Sequence, residues 1–87
     1  MNPTMKDRFY GKGNEDQVAW VERFAGLNEQ ESIMFRLWHK GKSDADIEDI
    51  MNLDKDARTR LENLIIPKVT AAVLYAISFT AAHERTA

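Results

Sequence analysis

Cysteine is missing from this 87-residue chain, which excludes disulfides and thiolate metal sites and sits easily with a reducing cytosol. A large excess of either charge is missing too, with 12 basic and 14 acidic residues and a net charge of −2. A strong nucleic-acid binder usually carries a clear positive surplus, so tight, sequence-independent phosphate binding is disfavoured. Long hydrophobic runs are also lacking. The most apolar stretch, Val69 to Ala82, is broken by Thr70, Ser78 and Thr80, and is too short to span a hydrocarbon core of about 30 Å. Met1 to Gly13 has no apolar segment of the kind a signal peptide needs. A cytoplasmic protein with no membrane association is the expectation. No repeat, low-complexity tract or interior linker is visible, and no segment alternates with a period of two. The absence of strand periodicity predicts an all-α protein.

What is present is a series of helix starts and stops. A chain this short forms one domain at most, burying roughly 60–65% of its unfolded surface. Residues 1–13, with Pro3, Gly11 and Gly13 and the cations Lys6, Arg8 and Lys12, read as a flexible basic arm. Residues 14–87 read as the folded domain. Asn14 is placed as an N-cap with Glu15 and Asp16 in the first turn, Val18, Val21, Phe24 and Ala25 recur at helical spacing, and Gly26 ends the helix. Asn28 opens the next helix with Glu31 three residues on, as in a capping box, and Ile33, Met34, Leu37 and Trp38 are assigned to its apolar face. Lys40-Gly41 is a stop, and Ser43 caps a third helix over about 44–51. Asn52, tolerant of left-handed backbone, reverses the chain before Asp54 caps a fourth helix over about 55–66. Pro67 then starts a fifth helix or kinks one long one. The expected fold is a small bundle of about five helices.

The stretch Asn28 to Leu61 is the most informative. Its apolar residues Ile47, Met51, Leu53 and Leu61 fall where two helices and a sharp turn need them, which is a helix-turn-helix pattern. From Leu27 to Lys68, about half the chain, it resembles the DNA-binding domain of LuxR-type regulators and region four of bacterial sigma factors. Leu27-Asn28-Glu29-Gln30-Glu31 stands for the Leu-Thr-x-x-Glu helix start of those families, and Gly41-Lys42-Ser43 for their Gly-x-Ser link. Ile47, Met51 and Leu53 match their aliphatics, Asp54 replaces the cap Ser, and Leu61, Ile65 and Lys68 fit the remainder. The resemblance implies a transcriptional regulator that places its fourth helix in the major groove of DNA as a dimer.

Two departures stand out. Glu48 takes the place of a small Ala, and Arg58 that of a buried Val, at two positions that touch in those families. Either the two form an ion pair between helices, or a register shift makes Ala57 the core residue and leaves Arg58 on a flank. On the fourth helix, Ala57, Leu61, Leu64 and Ile65 are assigned inward at about 100° per residue. Lys55, Thr59 and Asn63 then point outward, with Arg58 and Arg60 flanking. Arg reads guanine, Asn reads adenine, and Lys and Thr reach phosphate or base edges. Together with Lys40 and Lys42 as phosphate grips, these seven residues are the candidate DNA contacts. Against them stands an acidic block, Asp44, Asp46, Glu48, Asp49, Asp54 and Asp56, which also fits a solvated face. The rival reading keeps the helix-turn-helix shape but engages a protein, RNA polymerase being the example.

No catalytic, metal or cofactor site is read. His39 and His83 have no ligand-spaced partners, His39 suits a helix-terminal cation, and Ser43 suits a cap. Trp20, Trp38, Phe24 and Phe35 sit at helical spacing as core or interface aromatics. The helix 68–83 has hardly any polar side, so it is either the central helix of the bundle or, the favoured alternative, a homodimer seam.

Overall fold

The computed structural model describes residues 9–11 and 15–86, with side chains described as far as residue 76. Those residues contain four helices and no strand: α1 (Glu15–Ala25), α2 (Glu29–His39), α3 (Asp44–Met51) and α4 (Lys55–Thr86). The expected cap at Asn14, the cations Lys6, Arg8 and Lys12, and His83 lie outside the described residues.

Helix limits follow local chemistry. Gly26 takes φ 69° after α1. The Asn28 side chain accepts from the Glu31 N–H at 2.8 Å while the Glu31 carboxylate accepts from the Asn28 N–H at 2.9 Å, a complete capping box. Ser43 Oγ accepts from the Asp46 N–H, and Asp54 Oδ1 from the Ala57 N–H. Between those caps Asn52 sits at φ 56°, ψ 50°, in the left-handed region that lets α3 stop and α4 start three residues apart.

Pro67 does not divide the chain. The helix expected over 68–83 continues α4, which runs unbroken through Pro67. An interior proline costs about 3 kcal/mol and one backbone hydrogen bond. Here Leu61 and Ile65 before it and Val69 after it share one core cluster, so a break would forfeit contacts on both sides. At 1.5 Å per residue a 32-residue helix is about 48 Å long, which accounts for the molecule's 49 Å long dimension.

The core joins Val18 and Val21 of α1, Met34, Phe35 and Trp38 of α2, Ile47 of α3, and Leu61, Ile65 and Val69 of α4. Two faces are rotated from the sequence expectation. Ile33 is 45% exposed and Leu64 57%, whereas Phe35 is fully buried. A charged residue explains each rotation. On α2 the inward positions are 31, 34, 35 and 38, beginning with buried Glu31, and on α4 they are 58, 61, 65, 69 and 72, beginning with buried Arg58. With those positions scored as polar, the apolar periodicity points to the wrong phase.

The segment expected as a loose arm is fastened at its described part. Phe9 sets its ring edge-to-face on Phe35, with centroids 5.1 Å apart, and the Gly11 N–H donates to the Trp38 carbonyl at 2.8 Å. Gly11 and Gly41, both at positive φ, meet backbone to backbone. A Cβ built on either would lie 3.7–3.8 Å from the other's Cα.

Candidate functional site

The α3–α4 corner carries most of the candidate residues, and the structure separates them into three groups. Lys55, Thr59, Arg60 and Asn63 are all exposed on the first three turns of α4. Relative to the buried stripe, Arg60 and Asn63 point almost directly away, at about 140–160° by helix geometry. The Thr59 hydroxyl donates to the Lys55 carbonyl, a local bond that an incoming acceptor would have to replace. Lys40 and Lys42 are exposed on the α2–α3 turn, one α3 length, about 12 Å, from the start of α4.

Arg58 forms the third group alone. Only 8% of the residue is exposed, and its guanidinium is taken up by carboxylates. Nε donates to Glu48 Oε2 at 2.7 Å and Nη1 to Glu62 Oε2 at 2.7 Å, with Asp44 Oδ1 3.6 Å away. The hydrogen bond to Glu48 and the surrounding negative charges raise the Arg58 pKa above its ordinary value, against the opposing effect of burial. The ion pair between Glu48 and Arg58 is therefore present, and the register-shift alternative is not. Nε and Nη1 of Arg58 are thus both engaged by carboxylates of the fold.

A second buried charge joins the same helices farther along. Glu31 is 1% exposed and accepts both hydrogen bonds that Lys68 Nζ donates, at 2.8 and 2.9 Å. Burial pushes the Glu31 carboxyl up. The Lys68 hydrogen bond, the Asn28 N–H and the Lys68 charge outweigh it and hold the pKa below its ordinary value. The sequence concealed this pair because its two members lie 37 residues apart, with no local signal that brings them together. The capping-box position of Glu31 was the available signal, since a carboxylate turned back onto a helix start needs a counter-charge if covered.

Charge on the exposed corner is mixed, with a small acidic excess. From residue 40 to 63 the exposed cations are Lys40, Lys42, Lys55 and Arg60, while Asp44, Asp46, Asp49, Asp54 and Asp56 are exposed carboxylates. No family model, curated protein or solved structure matches this chain. The reading of the site therefore rests on its geometry.

Of two further surfaces, the first escaped the sequence. An open groove of about 460 Å³ lies between the start of α2 and the end of α3, lined by Asn28, Glu29, Gln30, Ile33, Ile50 and Met51. Ile50 is 55% exposed there. On another face the rings of Trp20, Phe24 and Tyr75 stack in series with centroids 4.7 Å apart, each about half exposed. Leu74, also half exposed, points away from the α4 core stripe. Of the expected homodimer helix, the side chains from residue 77 to 83 lie outside the described residues. Among the described residues no cluster of His, Cys, Asp and Glu could hold a metal, and no helix is long and apolar enough to cross a membrane.

Proposed function

We propose that this chain is a protein-interaction module in helix-turn-helix form, engaging a cytoplasmic protein partner such as RNA polymerase and performing no catalytic step. The observation that carries the reading is Arg58. One of the two arginines that could contact guanine is turned inward and neutralised by Glu48, Glu62 and Asp44, which leaves Arg60 alone on the outer face. The face left outside holds more carboxylates than cations. Each phosphate contact needs a cation to displace a counterion, and neighbouring carboxylates within a Debye length of about 8 Å oppose it. The half-exposed Trp20–Phe24–Tyr75 stack and Leu74 support self-association through the α1–α4 face as part of the same reading.

The DNA-binding reading keeps one observation in its favour: Lys55, Thr59, Arg60 and Asn63 do share an accessible face of suitable chemistry. Anisotropy of a labelled random duplex at 50 mM salt separates the two. The expected result is no binding at micromolar protein. Saturable binding that weakens steeply with salt would overturn the module reading, and Asn63→Ala would then relax discrimination at one base pair by about 1–3 kcal/mol.

A further inference from the structure

We infer that the groove between α2 and α3 is the docking site for a cationic amphipathic helix of the partner protein, an inference that rests on the protein-interaction reading. Ile33, Ile50 and Met51 give the groove an apolar floor beside the polar Asn28, Glu29 and Gln30. Ile33 and Ile50 come from different helices, and each keeps about half its surface in water. Neither belongs to the core cluster, so the fold gains little from their being aliphatic.

The rim decides the sign of the partner. Glu29 lines the groove, Asp46 lies one turn before Ile50 on the same stripe of α3, and Asp49 adjoins Ile50. All three carboxylates are exposed, and among the described residues none forms a salt bridge. They contrast with Glu31, Glu48 and Glu62, whose charges are spent on Lys68 and Arg58. An apolar floor with unspent negative charge along its edge fits an apolar side chain flanked by Lys or Arg.

Backbone chemistry decides the shape. There is no strand among the described residues, hence no free sheet edge to pair with an extended peptide. An extended segment over this floor would leave its N–H and C=O groups without partners, whereas a helix satisfies its own. A stripe at i, i+3, i+4 spacing presents its aliphatics to a groove and its cations to a rim at the same time.

The test uses the full chain and a capped 14-residue Leu/Lys amphipathic peptide, followed by amide shifts in isotope-labelled protein. Saturable shifts centred on Ile33, Ile50 and Met51 are expected, with no response to the same peptide carrying Glu for Lys. Ile50→Ser should weaken binding roughly five- to ten-fold, the worth of covering the exposed half of one aliphatic side chain, while leaving the thermal melt unchanged. Asp46→Asn with Asp49→Asn should weaken it further and flatten its salt dependence. Binding indifferent to Ile50→Ser but abolished by the Asn pair would overturn the groove, leaving an acidic surface and the broader interaction reading intact. No shift at millimolar peptide also overturns it. Failure of the broader reading would show separately, as salt-dependent binding of the duplex.

Discussion

The middle of the bundle and its α3–α4 corner solve the same packing problem with different chemistry. In the middle, Val18, Val21, Phe35, Trp38, Ile65 and Val69 meet as hydrocarbon. At the corner Ile47 and Leu61 meet beneath a guanidinium held by three carboxylates. Hydrocarbon contact is non-directional and scales with the area covered. The ion pairs depend on geometry, and much of their Coulomb gain is spent on desolvation. The middle should therefore carry the stability and the corner should set how α3 is oriented on α4. Glu31–Lys68 lies between these extremes, with one partner wholly buried and the other 41% exposed at its side chain.

Four changes sharpen or break that contrast. Trp38→Ala should cost about 3–5 kcal/mol, close to the whole stability of a domain this small, and denaturant titration should find the variant largely unfolded. A loss under 1 kcal/mol would mean that the middle is not the stabilising region.

Lys68→Met should cost about 2–3 kcal/mol by leaving Glu31 buried without its counter-charge, a figure reduced from the usual range because Lys68 is partly exposed. The pH dependence follows from the same pair. A carboxyl whose folded pKa is depressed adds stability that is present above its unfolded value of about 4.3. That stability is lost as pH falls through the lower folded value, so wild-type protein should weaken below about pH 4 while Lys68→Met shows a shallower acid slope. Equal slopes in the two proteins would remove the pair from the account.

At the corner, Glu48→Ala combined with Arg58→Val should keep or raise the melting temperature. Either single change should lower stability by about 1 kcal/mol, since Glu48→Ala removes one of the two hydrogen bonds on the guanidinium and Arg58→Val leaves Glu48 and Glu62 without their cation. A double variant much less stable than both singles would show the corner to be as stabilising as the middle.

The smallest effect on folding should come from Leu74→Glu. Leu74 is 56% exposed, so the chain should fold with a stability change within about 0.5 kcal/mol. Sedimentation should show a self-associating wild type and a monomeric variant. A wild type that is monomeric at tens of micromolar would remove self-association, and unfolding of the variant would place Leu74 inside the core.

Local signals were legible because their chemistry is local. Asn28 with Glu31, Ser43, Asn52 and Asp54 act within four residues of themselves, so the limits of α2 and α3 and the start of α4 could be read directly. The all-helical class was legible for the same reason. The possibility of a Glu48–Arg58 contact could also be raised, as one of two alternatives, from the resemblance expected over Leu27 to Lys68.

Only the tertiary structure decided the exact buried face of α2 and α4. Glu31 and Arg58 lie inside with partners that arrive from other helices, Lys68 for Glu31 and Glu48 for Arg58, with Glu62 one turn along α4 as a local second partner, and a lone residue in a sequence carries no record of a distant partner's position. Their inward placement rotated α2 and α4, exposing Ile33 and Leu64 and drawing Phe35 in. The continuity of α4 through Pro67 was likewise a collective outcome. The local cost of a proline is fixed by its ring, but whether a helix bears it depends on the contacts made on either side.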